Sequence, residues 1–108
     1  MRRASLHRIE LPEFGMPDAA PEIPDAMSAE RLERFRKRLA ARSCDVAAVY
    51  ADREHSANLA YLTGFDPRFE EAILIVGPQA KPLLLTGNEC IGMAEAAPLS
   101  MRVELHPT

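Results

Sequence analysis

Tryptophan is missing from this sequence, glycine and cysteine are scarce, histidine occurs three times, and no apolar stretch is long. Each shortage removes a class of function. The five glycines, Gly15, Gly64, Gly77, Gly87 and Gly92, are dispersed. That rules out phosphate cradles of the GxxxxGK or GxGxxG kind, where clustered glycines let backbone amides approach an anion. Cys44 and Cys90 have neither CxxC nor Cys-His spacing. They read as small buried side chains in a reducing compartment rather than as a disulfide or metal pair. His7, His55 and His106 fall on an arm, a loop and a tail. No two lie one helical turn apart, so no imidazole set is placed to bind a metal ion. Ser5, Ser28, Ser43, Ser56 and Ser100 all lack the glycine-flanked elbow of a hydrolytic nucleophile.

No uncharged apolar run approaches the roughly 20 residues of a membrane-spanning helix. After Met-Arg-Arg, the residues Pro12, Glu13 and Asp18 interrupt any signal-peptide core. The expected location is therefore cytoplasmic. A net charge of -3 gives no long-range attraction for nucleic acid or anionic lipid, so neither nucleic acid nor membrane is expected as a partner.

What remains is an ordinary globular composition, 47% hydrophobic and 27% charged over 108 residues, a length that supports one domain. Residues 1–27 carry Pro12, Pro17, Pro21 and Pro24, which remove amide donors and block helix and ladder. This segment reads as a Pro-rich arm whose Leu6, Ile9, Leu11, Phe14 and Met16 could bury against its own domain or a partner. A helix is expected from Ser28 as N-cap, with Met27 and Leu32 at staple spacing and an inner stripe of Leu32, Phe35 and Leu39. Its outer face, with Arg31, Arg34, Arg36, Lys37, Arg38 and Arg42, reads as solvated.

The apolar run from Asp45 to Ala51 predicts a strand covered on both faces and central in its sheet. A short helix is expected over 54–63, completing a strand, helix, strand unit of parallel-crossover size. Ala72–Val76 and Pro82–Thr86 read as a hairpin about Gly77-Pro78. Asn88 is expected to cap a last helix ended by Pro98, and Met101, Val103 and Leu105 alternate with Arg102 and Glu104 as a strand with one wet face. The order predicts an α/β mixed sheet of four to five strands with helices for both faces. Four strands are few, and the molecule is expected to continue beyond Thr108.

Among polar residues, Asp52-Arg53-Glu54-His55 is the densest cluster and follows the first strand, where α/β proteins place ligands. The plainer reading has Asp52 capping the next helix while the others face water. Adjacent Glu70 and Glu71 read as solvating, since a working carboxylate pair converges from separate elements. Cys90 near a helix start reads as a small buried hydrophobe rather than an activated thiol.

Asn58-x-x-Tyr61-Leu62-Thr63-Gly64-Phe65, after Asp52-Arg53-x-x-Ser56, resembles the amino-terminal domain of creatinase, prolidase and Xaa-Pro aminopeptidase enzymes. The likeness extends from the arginine-rich helix at Arg31 to Arg42, through the strand at Val46 to Tyr50, to Glu71–Val76. It covers about Ser28 to Leu105, so residues 28–108 form the expected domain. The resemblance implies a ribonuclease-H-like fold preceding a separate pita-bread catalytic domain. That domain would hold two divalent ions, manganese, cobalt or zinc, and this chain would hold no catalytic or metal residue.

The resemblance further implies a homodimer in which Asp52, Arg53, Glu54 and His55 reach towards the neighbouring subunit's active site and its peptide substrate. Within the motif, Asn58 and Tyr61 lie about one turn apart, Gly64 is suited to a left-handed stop, and Phe65 turns inward. The stretch reads as a joint. The leading function is thus a non-catalytic domain of a metallopeptidase, acting in assembly and substrate gating. Two alternatives stay open: a stand-alone protein-interaction module, or the same domain of a creatinase-like hydrolase or lyase acting on a small zwitterion.

Overall fold

The first helix begins at a proline. In the computed structural model, which describes residues 3–13, 15 and 18–106, α1 runs Asp25–Ala41 with Pro24 at its N-cap. The first amides of a helix have no intrahelical acceptor, so a proline there costs no hydrogen bond. Asp25 then sets a carboxylate against the positive end of the helix. The N-cap expected at Ser28 lies four residues past the observed one, Pro24. Ser28 is no cap; it is buried inside the helix. The described arm residues before Pro24 form neither helix nor strand, and Leu6, Ile9, Leu11 and Ile23 are exposed. Phe14 and Met16 lie outside the described residues.

Four strands follow: β1 (Ala47–Ala51), β2 (Ala72–Val76), β3 (Leu83–Thr86) and β4 (Arg102–Leu105), with α2 (Ala57–Thr63) before β2 and α3 (Ile91–Glu95) before β4. They lie side by side in the order β1-β2-β3-β4. β2 runs antiparallel to both β1 and β3, and β4 is parallel to β3. One strand therefore opposes the other three, as in a ribonuclease-H-like mixed sheet.

Two expectations about β1 are overturned. It is not joined to β2 by a parallel crossover, because the seven residues of α2 rise only about 10 Å and residues 64–71 return the chain to the end it left, pairing Ala51 with Ala72. The parallel crossover is instead β3–α3–β4. Nor is β1 central: it is an edge strand of the described sheet, with Val46 and Tyr50 exposed. The last helix also differs, since its N-cap is Cys90 with no side-chain cap bond and Asn88 belongs to the preceding turn.

Register explains where the core lies. Ala47, Val49 and Ala51 sit opposite Val76, Leu74 and Ala72, which continue across to Leu84 and Thr86 and on to Val103 and Leu105. Leu32 of α1, Leu59 and Leu62 of α2, and Ala94 of α3 share one buried cluster with this face. Each fully buried leucine contributes roughly 1.5–3 kcal/mol. The opposite face carries Tyr50, Ile73, Ile75, Leu83 and Leu85, with Arg102 and Glu104 at its side. Among the described residues no helix joins it, so the expected cover on both faces is not found. Cys90 is buried, whereas Cys44 is exposed, contrary to the expectation that both thiols are interior.

Candidate functional site at the end of the first strand

At the carboxyl end of β1 the chain turns on Asp52. One oxygen, Oδ1, accepts the backbone amides of Glu54 at 2.9 Å and His55 at 2.7 Å. His55 Nδ1 lies 2.9 Å from the same oxygen. Partial desolvation pushes the Asp52 carboxyl up. The two amides and the imidazole outweigh this and hold it below its ordinary value. Asp52 therefore closes its own loop. It does not cap α2, whose N-cap is Ser56. Arg53, Glu54 and His55 are left exposed on the turn.

The register brings in two residues that the sequence does not attach to this loop. With Ala51 opposite Ala72, the neighbours Tyr50 and Glu71 meet across the strand pair. The Tyr50 hydroxyl lies 3.0 Å from Glu71 Oε1 and 3.3 Å from Asp52 Oδ2, and its single proton serves one carboxylate at a time. The hydrogen bond to Glu71, with some desolvation and the two negative charges, pushes the tyrosine up to about 12.

Glu71 is thus not merely solvating, and neither is Glu70. Adjacent residues of an extended chain point to opposite sides. Glu70 faces the other way and accepts the amides of Glu89 and Cys90. Burial pushes the Cys90 thiol up, and the nearby Glu70 carboxylate adds to this.

Beside the loop, α2 carries the Asn58–Phe65 stretch. Gly64 ends the helix at φ 75° and ψ 6°, its amide bonded to Ala60 O. A Cβ at Gly64 would come within 2.6 Å of Pro98 Cδ. Thr63, which had no assigned role, donates to Leu59 O at 2.7 Å and accepts the Phe65 amide at 3.0 Å. Phe65 is buried in the common cluster, and Leu99 N bonds to Thr63 O. The stretch therefore fastens α2 to the segment after α3.

Asn58 and Tyr61 face the other way, into a groove between α1, α2 and β1. There the Arg31 guanidinium lies 4.4 Å from the centroid of the Tyr61 ring, an attractive cation–π separation. Its Nη1 donates to Tyr61 O at 3.0 Å. Arg34 donates to the Tyr61 hydroxyl at 3.2 Å. On the next side of α1, Arg36 binds Gly77 O and Ala80 O, strapping the helix to the hairpin turn. The basic face is therefore only partly solvated, contrary to expectation.

Among the described residues no group of three or more His, Cys, Asp or Glu side chains could hold a metal ion, and no helix is long and apolar enough to cross a membrane.

A family model described as the creatinase/prolidase N-terminal domain matches residues 31–106. No match to a curated protein was found. Among solved structures, an Xaa-Pro aminopeptidase from Streptococcus pyogenes superposes with a TM-score of 0.62 at 20% identity, over 75% of this chain and 57% of its own. A creatinase-N superfamily domain of a dipeptidase from Streptococcus thermophilus gives 0.59 at 25% identity, over 71% and 56%. A proline dipeptidase from Streptococcus pneumoniae gives 0.59 at 26%, over 71% and 55%. The chain spans little more than half the length of these structures.

Proposed function

Because the chain belongs to the creatinase/prolidase N-terminal domain family, we propose that it is the non-catalytic first domain of an Xaa-Pro peptidase, acting in homodimer assembly and in gating of the peptide substrate. The observation that carries this reading is the family match over residues 31–106. Its likeness to a solved Xaa-Pro aminopeptidase and a solved proline dipeptidase supports it. The two divalent ions that the family resemblance implies belong to the downstream catalytic domain in this reading. The described residues of this chain offer no convergent donor set for them.

The gating role falls to Asp52, Arg53, Glu54 and His55. Asp52 holds the turn closed through two amides and an imidazole, so that Arg53, Glu54 and His55 project from a fixed base at the end of an edge strand. A loop fixed in this way can bear on a substrate or a neighbouring subunit at little cost in ordering entropy. The proposed compartment is the cytoplasm.

A second reading, a stand-alone interaction module, is favoured by the uncovered apolar sheet face of Ile73, Ile75, Leu83 and Leu85. Intact-mass measurement of the protein captured from its native cells separates the two. A product well above 12.0 kDa carrying the downstream domain supports the peptidase reading. A product of that mass alone supports the module.

A further inference from the structure

Arg31, Arg34 and Arg38 of α1 line one groove together with Tyr50, Asn58 and Tyr61, enclosing about 470 Å³. Spacings of three, four and seven residues put the three guanidinium groups on one helix face. Among the described residues the ion pairs are Arg36–Glu33, His55–Asp52 and Arg102–Glu104, and none of them neutralises this face. Arg31 and Arg34 donate only to neutral acceptors, Met27 Sδ and the carbonyl and hydroxyl of Tyr61. Arg38 has no hydrogen bond among the described residues. A chain of net charge -3 thus concentrates three unneutralised positive charges in one concavity.

The complementary charge lies in the same sequence. From Ile9 to Pro24, after Arg8 and before α1 begins, the arm holds four acidic residues, Glu10, Glu13, Asp18 and Glu22, and no Lys, Arg or His. The described part of the arm stands clear of the folded body, with Glu10, Glu13, Asp18 and Glu22 all exposed. The radius of gyration is 19.5 Å, with a longest extent of 61 Å, whereas a compact chain of this length would have a radius of about 13 Å.

We infer that the groove is the docking site for the acidic arm of a second copy of this chain, so that two copies exchange arms. Spacing supports the segment Ile9–Glu13. Pro12 and its effect on Leu11 favour a polyproline conformation, whose rise of about 3.1 Å per residue sets Glu10 and Glu13 about 9 Å apart. Along α1 the span from Arg31 to Arg38 is about 10 Å. In that register the two carboxylates meet the guanidinium groups while Ile9 and Leu11, now exposed, gain cover from the tyrosine rings. A projecting arm reaches a neighbour's groove without the reversal at Pro24 that its own groove would require.

This inference rests on the assembly role proposed above, not on peptidase activity. The test is sedimentation equilibrium of the full chain in low and high salt, for the wild type and two charge-reversed forms. One form carries Arg34→Glu and Arg38→Glu, the other Glu10→Lys and Glu13→Lys. Each reversal alone, and added salt, should weaken dimerisation by about tenfold or more. An equimolar mixture of the two reversed forms should recover it, because each arm then finds a groove of opposite charge. Arg34→Lys with Arg38→Lys should keep the dimer. The arm substitutions lie outside the folded body, so they decide the matter even if the groove variant unfolds.

A wild type that stays monomeric overturns both arm exchange and self-assembly by this chain. A dimer indifferent to both reversals overturns arm exchange and leaves assembly through another surface. Reversed forms that do not rescue each other on mixing also overturn it.

Discussion

The carboxylate of Glu70 accepts the backbone amide of Glu89 at 2.8 Å, and its second oxygen takes that of Cys90 at 3.0 Å. A side chain just before β2 thereby fastens the turn that leads into α3. The contact needs the bare backbone of Gly87, because a Cβ there would run into the carboxylate. Glu70→Ala leaves both amides without this acceptor. It should lower stability in urea by about 1–3 kcal/mol and speed labelling of the buried Cys90 thiol. Glu70→Gln keeps one acceptor oxygen and should fall between. Wild-type labelling kinetics in the alanine variant would show that the clamp carries no weight.

Leu74 and Leu85 lie on adjacent strands but on opposite faces of the sheet. Leu74 belongs to the buried cluster and Leu85 does not. Leu74→Ala should therefore cost about 2–5 kcal/mol, and Leu85→Ala clearly less. If the two losses are equal, the second face is covered in solution.

The raised pKa of Tyr50 carries a sign for stability. A neutral phenol favoured in the folded state contributes stability below its ordinary value of 10.0, and this is lost as pH rises towards about 12. Absorbance titration of a Tyr61→Phe background, in which Tyr50 is the remaining tyrosine, should show it ionising late. In Tyr50→Phe the late step should vanish, and in Glu71→Gln it should move down. A transition near pH 10 for Tyr50 would refute the contact.

Gly64→Ala places a side chain at φ 75° and against Pro98. The left-handed conformation alone costs roughly 1–2 kcal/mol, so the melting temperature should fall by about 4–8 °C per kcal/mol. The neighbouring exposed position, as Asn58→Ala, should change it little. Equal melting temperatures for wild type and Gly64→Ala would mean that the stop is not strained.

The element order was legible because its signals are local. Gly77-Pro78 marks the hairpin, Pro98 follows the last helix, and the alternation from Met101 to Leu105 shows a half-wet strand. Strand partnership was not legible. Ala47, Ala48 and Ala51 make β1 look covered on both sides, although alanine has little apolar surface to hide. Its edge position depends on which strands pair, which is information of long range. Ser28 looked like a cap because capping chemistry suits it, whereas Pro24 and Asp25 set the helix start.

The polar loop at Asp52 stands out in sequence, but its partners Tyr50 and Glu71 are joined to it only by register. Arg31 and Tyr61 meet across 30 residues, a contact no local pattern announces. Glu70 and Glu71 look alike in sequence and part company only because an extended chain alternates its side chains.

Under the proposed function this polypeptide positions a neighbour and leaves hydrolysis to the downstream domain. The most direct test is hydrolysis of an Xaa-Pro dipeptide by the purified 108-residue chain, with and without added manganese. The account predicts no release of amino acid above the metal-only control. Turnover that requires the metal, follows the chain through repurification and scales with its concentration would contradict it.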